Sequence, residues 1–226
     1  NNSGSLTVTN STLSGNTAGS VGGGIYNKSG ATLTVTNSTL SGNTAGSVGG
    51  GIFNDNGAIL SITNSTLSGN TAGSVGGGIY NKSGATLTVT NSTLSGNSAV
   101  YGGGGIVNIG TLTVTNSTLS GNSANYGGGI LNYNGNVNIT NSTISGNSAN
   151  SGGGIYNISG STTLTNSTLS GNTAGSVGGG IFNDNGAILS ITNSTLSGNT
   201  AGSVGGGIYN KSGATLTVTN STLSGN

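Results

Sequence analysis

Leu33-Thr34-Val35-Thr36 alternates apolar and polar side chains, the period-two pattern of a strand with one buried face. The alternation returns at Leu60-Ser61-Ile62-Thr63, Leu87-Thr88-Val89-Thr90, Leu112-Thr113-Val114-Thr115 and Leu216-Thr217-Val218-Thr219. Within the unit that begins at Asn37, two further extended pieces are expected, around Thr39 to Gly42 and from Gly51 to Asn54, followed by Ile59 to Thr63. Gly, Asn, Asp and Ser fill the joints, where a turn needs residues that tolerate positive φ. No stretch shows helical periodicity.

The pattern is locked to a repeat. Asn-Ser-Thr, then Leu or Ile, then Ser-Gly-Asn, begins at Asn10, Asn37, Asn64, Asn91, Asn116, Asn141, Asn166, Asn193 and Asn220, with spacings of 27, 27, 27, 25, 25, 25, 27 and 27 residues. Gly-Gly-Gly-Ile recurs between copies, ending at Ile25, Ile52, Ile79, Ile106, Ile130, Ile155, Ile181 and Ile208. A fixed period of this size marks a solenoid whose units bury their apolar faces against one another. Three short strands per 25–27 residues predict one rung of an all-β, right-handed parallel β-helix. About eight rungs stacked ~4.8 Å apart would give a rod roughly 40 Å long. Residues 1–226 then form a single array, and a start without Met inside a repeat suggests a segment of a longer repeat protein. Residues 37–97 recur unchanged as 166–226, a modular duplication across five rungs.

A rival arrangement has two smaller rungs per unit. Its halves, GGGIYNKSGATLTVT and NSTLSGNTAGSV, are unlike. The charges also argue against it. Three residues after each constant Ile the column reads Lys28, Asp55, Lys82, Ile109, Tyr133, Ile158, Asp184 and Lys211, which holds all five charges of the chain. Neighbouring charges alternate in sign, so stacked rungs would gain register more than energy, since exposed pairs contribute only ~0–1 kcal/mol. Where like stacks on like, amides can hydrogen-bond along the stack and charges would repel. Three Asn columns are therefore expected as ladders. One holds Asn10 and its equivalents; a second holds Asn16, Asn43, Asn70 and theirs; a third holds Asn27, Asn54, Asn81, Asn108, Asn132, Asn157, Asn183 and Asn210. Length differences fall in the joint before the glycines and in the joint after the third column, where loops absorb them.

Composition mostly excludes. Gly (48 residues) and 2% charged residues would suit a disordered linker, but the apolar residues hold fixed places in every copy. A net charge of +1 leaves no footprint for nucleic acid, and no apolar run is long enough for a membrane helix. The absence of Cys is compatible with an oxidising exterior. Catalysis has no candidate: there is no His, and Asp55 and Asp184 lie in different rungs without a partner acid or base. No cofactor or metal is implied; the glycine runs lack a phosphate loop's Lys-Ser/Thr, and two Asp cannot furnish a calcium-binding β-roll. Each Asn-Ser-Thr is a glycosylation sequon, but a glycan on every rung exceeds the rung spacing, so a turn Asn in a buried or half-buried stack is expected.

Two surfaces suggest partners. Thr34 and Thr36, with their copies, form a flat Thr-x-Thr array that resembles the ice-contact face of insect antifreeze β-helices, interrupted by Ser61, Asn138 and Ser190. The plain alternative is β-propensity on a solvated face. After each constant Ile come Tyr26, Phe53, Tyr80, Val107, Leu131, Tyr156, Phe182 and Tyr209, which strand alternation turns outward. This stripe is either an exposed self-association surface or is half covered by a neighbouring turn.

Over essentially its whole length the chain resembles bacterial surface β-helix repeats, including the polymorphic outer-membrane-protein type of autotransporter passenger. Gly-Gly-Gly-Ile stands for that family's Gly-Gly-Ala-Ile, and Leu13-Ser14-Gly15-Asn16 and its copies for its Phe-x-x-Asn, with Leu in place of Phe. The resemblance implies a right-handed β-helix and an extracellular, cell-surface location, and carries no catalytic residue. The expected function is structural: a fibre, or the stalk of an adhesin, assembling with itself end to end or laterally. The alternative is a surface binding module for carbohydrate or a host surface, or for ice through the Thr face.

Overall fold

The computed structural model describes residues 1–211 and 213–226. It is a parallel β-solenoid in which each repeat makes one rung and, among the described residues, no helix occurs. The rung from Asn37 holds strands Thr39–Ser41, Thr44–Ala45, Ile52–Asn54 and Ile59–Thr63. Three of these are the extended pieces expected from the sequence; the two-residue Thr44–Ala45 strand is an addition, too short to show any periodicity. Equivalent strands pair only with their counterparts in the rungs before and after. Thus Thr39–Ser41 pairs in register with Thr66–Ser68, and Ile52–Asn54 with Ile79–Asn81. The five-residue and Thr-Leu-Ser strands form nine-stranded sheets and the Ile strands an eight-stranded one. The Thr-Ala sheet is split into blocks of four and three strands. Isolated bridges Ser98↔Ser123↔Ser148 span the gap, where the shortened rungs carry Ala124-Asn125.

Alternation builds the bore. Leu60 and Ile62 of the long strand, Leu67, Ala72 and Ile79 all point inward at 0% exposure, and their counterparts stack above and below. Each such Leu or Ile contributes ~1.5–3 kcal/mol by leaving water. Because each column repeats one side-chain shape, the packing of one rung sets that of the next.

The three glycines before each Ile have separate reasons. At Gly152 φ is +66°, a left-handed corner that L side chains rarely adopt. A Cβ at Gly153 would lie 2.5 Å from the carbonyl oxygens of Gly179 and Thr173, and one at Gly154 2.7 Å from that of Gly180. Here the chain runs so close to the following rung that no side chain fits.

Candidate functional site

The side chains that distinguish this rod from a plain hydrophobic stack fall into three vertical systems. The first is amide and hydroxyl ladders. Asn16, Asn43, Asn70, Asn97, Asn122, Asn147, Asn172, Asn199 and Asn226 form an unbroken chain in which each Nδ2 donates to the next Oδ1 at 2.8–3.0 Å. For Asn70 the second Nδ2 proton goes to the Leu40 carbonyl, and its backbone N–H joins its Nδ2 in donating to Asn97 Oδ1. The interior members thus fill their amide capacity at 0% exposure, the condition under which a buried polar network is not a liability. Gly15 and its copies supply the corner, with φ near +60°, that turns this Asn inward.

The third column behaves alike. Asn27, Asn54, Asn81, Asn108, Asn132, Asn157, Asn183 and Asn210 are linked Nδ2 to Oδ1 at 2.7–2.9 Å. They also pin the turn that follows, as Asn183 Nδ2 does on the Ala187 carbonyl at 3.2 Å. In both ladders each Nδ2-to-Oδ1 bond runs from one rung to the following one, so the two ladders share one polarity along the rod.

The first column departs from expectation. Asn10, Asn37, Asn64, Asn91, Asn116, Asn141, Asn166, Asn193 and Asn220 sit at φ 48–50° with exposed side chains, and none makes a side-chain hydrogen bond to another. The left-handed corner throws the side chain outward, so the sequon Asn is not in a buried or half-buried stack. The ladder belongs instead to the next residue. Ser38 N–H donates to Ser65 Oγ at 3.0 Å, and Ser38 Oγ donates to the Thr36 carbonyl at 2.8 Å, a motif repeated up the rod. A Ser in every copy directly after the corner was the available signal.

The second system is the charge column. Asp55 N–H donates to Asn27 O, Lys82 N–H to Asn54 O and Lys211 N–H to Asn183 O, so the residues are vertical neighbours. Asp55 pairs with Lys82 at 2.9 Å and Asp184 with Lys211 at 3.6 Å. Each Lys ammonium also lies 5.9 Å from the ring centre of Phe53 or Phe182, within cation–π range. Lys28 holds its expected place in the column, but its Nζ donates to Asn2 Oδ1 at 2.8 Å. Asp55 is already engaged on both oxygens: Tyr26, from the rung of Lys28, donates its hydroxyl to Oδ2 at 2.8 Å, and Lys82 holds Oδ1.

Burial pushes the Asp55 carboxyl up, but hydrogen bonds from Lys82, the Asn56 N–H, Tyr26 and Ser29 outweigh it and hold the group at about 2. A carboxyl that is more acidic folded than unfolded stabilises the protein above the unfolded value of 3.8, and that stability is lost as pH falls through about 2. Urea midpoints should therefore drop between pH 4 and 2, and Asp55→Asn should flatten much of that slope. Equal slopes in both proteins would contradict the assignment.

The third system is the aromatic column. It is not a continuous exposed stripe: Phe53 and Phe182 are buried at 6% and 5%, Val107 is buried, and Tyr80, Leu131, Tyr156 and Tyr209 are half-buried. Only Tyr26 counts as exposed, and then barely. Alternation does turn the column outward, but the glycine turn passes across it; a Cβ on Gly76 or Gly152 would meet the Cβ of Tyr80 or Tyr156. The rings stack on one another, with Phe53 and Tyr80 5.3 Å apart at 5°, Tyr156 and Phe182 4.6 Å at 15°, and Phe182 and Tyr209 5.2 Å at 13°. Val107 and Leu131 interrupt this stack in the shortened rungs, where Ile109, Tyr133 and Ile158 also replace the charges. The Thr face lies where expected on the outer side of the long-strand sheet. Its Thr36 column is unbroken from Thr9 to Thr219, and its Thr34 column is interrupted by Ser61, Asn138 and Ser190.

Rungs of this length, stacked in register and pinned by inward Asn ladders, define a parallel β-solenoid repeat protein. Residues 10–28, 64–82 and 193–211 match the Chlamydia polymorphic membrane protein repeat. Each matched stretch begins at an exposed corner Asn, includes one Asn of each buried ladder, and ends at a Lys of the charge column. These three stretches, well under half of the chain, are similar to that repeat. No curated protein and no solved structure matches the chain.

Proposed function

We propose that this chain is a rigid shaft segment of a bacterial surface adhesin-type protein, extracellular and structural in role. The observation that carries the reading is the register: from Thr12 to Ser224 the Thr-Leu-Ser and Thr-Ile-Ser strands of every rung pair with the next at equivalent positions. A hinge would need a rung with missing pairing, and only the short Thr-Ala sheet lapses, while three other sheets run through. The match to polymorphic membrane protein repeats supports an outer-membrane or surface location. A neutral surface suits such a shaft, since stacked like charges would force rungs apart.

Inserting a second copy of residues 37–165 after residue 165 adds five rungs in phase, because residues 166–226 repeat 37–97. The shaft should lengthen by roughly 24 Å at constant cross-section in small-angle X-ray scattering. An increase in all dimensions together would sink the reading. A filament of stacked copies is the second reading, favoured by the shared polarity of both Asn ladders, in which Nδ2 donates to the Oδ1 of the following rung, so that a copy stacked in the same sense would continue them. Negative-stain images of concentrated protein separate the two: long filaments support it, and persistently single rods leave the shaft alone.

A further inference from the structure

The shortened middle rungs break three columns at one place. In the bridge column Val21, Val48, Val75, Gly102, Tyr126, Ser151, Val177 and Val204 succeed one another, so Tyr126 rises between two small residues. In the aromatic column Leu131 precedes Tyr156, and in the charge column Tyr133 pairs with Ile158. Together Tyr126, Leu131, Tyr133, Tyr156 and Ile158 line an open cleft of about 320 Å³. Its floor is apolar, but Tyr126 and Tyr133 remain 39% and 47% exposed. The Tyr126 and Tyr156 rings are 5.9 Å apart and tilted by 51°, so they form two walls and leave ring faces open. Elsewhere in the aromatic column Phe53 and Tyr80, Tyr156 and Phe182, and Phe182 and Tyr209 stack within 15° of parallel, while Tyr26 meets Phe53 edge-on at 77°.

The cleft's polar groups are phenols and one carboxylate at its rim. Tyr156 hydroxyl faces Asp184 Oδ2 at 3.4 Å, and Asp184 follows Ile158 in the charge column. Burial, with Asp184 adding to it, pushes the Tyr156 phenol up to about 12, so it stays a hydrogen-bond donor at neutral pH. No cation lines the cleft. Aromatic walls with hydroxyls at their edges match the two faces of a pyranose, which has an axial C–H face that packs on a ring and an equator of hydroxyls. Asp184 Oδ2 is also paired with Lys211 Nζ at 3.6 Å, so the charge at the rim is balanced, which suits an uncharged ligand.

We propose that this cleft binds a neutral oligosaccharide, one pyranose lying against Tyr126, Leu131 and Tyr156 with its hydroxyls directed to Tyr133, Tyr156 and Asp184. This goes beyond the shaft reading, because a shaft requires no cleft and would survive its loss. The repeat itself supplies fold-compatible variants: Tyr126→Val installs the residue of Val75, and Tyr133→Lys that of Lys82. Cellotetraose, maltotetraose and lacto-N-tetraose are titrated calorimetrically into the full chain, with a tetragalacturonate as the acidic control. At least one neutral sugar should bind saturably, and the double variant should weaken it by about tenfold or more while its strand circular dichroism is unchanged. Tyr133→Phe, which keeps the ring, should weaken binding less than Tyr133→Lys and serves if the double variant fails to fold. Absence of binding by all three neutral sugars, equal affinity in the variants, or preference for the tetragalacturonate would each overturn the proposal. So would self-association that the double variant abolishes without any sugar binding, which would make a second copy the occupant.

Discussion

Asn97→Leu should split the solenoid in two. Leucine keeps the branching and heavy-atom count of asparagine and is somewhat larger, so the bore is not emptied; what is lost is hydrogen bonding. Asn97 Oδ1 accepts from the Asn70 N–H at 3.0 Å and from Asn70 Nδ2 at 2.9 Å, while its Nδ2 donates to the Leu67 carbonyl at 3.0 Å. These three bonds would go unreplaced at a position with 0% exposure, where water cannot enter. Each orphaned buried group costs ~1–3 kcal/mol, so losing three should cost about 3–9 kcal/mol. The Asn122 Oδ1 still keeps the Asn97 N–H, so the damage is directed toward the preceding rung. That is a large share of the ~5–15 kcal/mol that holds a typical domain. In a solenoid, contacts reach only neighbouring rungs, so the loss stays local. Hydrogen exchange should accelerate in residues 64–115 while residues 10–36 and 166–196 keep their protection, and the urea transition should broaden into two. Asn91→Gly, at the exposed corner with φ 49°, should shift stability by no more than about 0.5 kcal/mol. If the two variants unfolded alike, the buried ladder would not be what pins the rungs.

The contrast between Asn97 and Asn91 also shows what sequence pattern can and cannot convey. Strand parity is a counting rule, so Ile79 and Asn81, two residues apart, must share a face, and both are at 0% exposure. The ladder through Asn81 is legible for that reason, as are the Leu87 and Val89 columns and the one-rung-per-repeat register. Counting fails across a left-handed corner. Counted forward from inward Val89, alternation would put Asn91 inside, but Thr90 and Asn91 both face out across the corner at φ 49°; counted back from inward Leu94 it correctly puts Ser92 inside, and Ser92 carries the ladder. Partner choice in the charge column was hidden for another reason. Lys28 and Lys82 lie one rung below and above Asp55, and the decision between them was made by the Tyr26 phenol, a contact between different columns. The aromatic column shows the same limit: parity correctly turned Tyr80 outward, but only the path of the glycine turn determined that it would be covered.

That glycine turn is the second place where one atom should decide the fold. Gly153→Ala adds a single methyl group, yet its Cβ would stand 2.5 Å from both the Gly179 and Thr173 oxygens and 2.7 Å from the Thr173 carbonyl carbon. All three are backbone atoms of the following rung, and no flexible side-chain end is available to move aside. Gly179 O is already held by the Gly154 N–H at 3.2 Å, and Gly153 N–H by Gly178 O at 3.1 Å. Restoring an ordinary contact of about 3.4 Å requires the rungs to part by roughly 0.9 Å, which breaks those bonds and the Asn147–Asn172 ladder step beside them. Overpacking of this kind exceeds the usual ~1–3 kcal/mol because the neighbours on both sides are backbone in register. Gly171→Ala supplies the comparison: its φ is +62°, but nothing lies within 4 Å of the added Cβ, so only left-handed strain of ~1–2 kcal/mol is expected. Thermal unfolding followed by circular dichroism should place Gly153→Ala well below Gly171→Ala, with lost exchange protection centred on residues 147–181. Equal destabilisation of the two would mean that the glycine run serves turn conformation alone, and that close approach between rungs does not demand it.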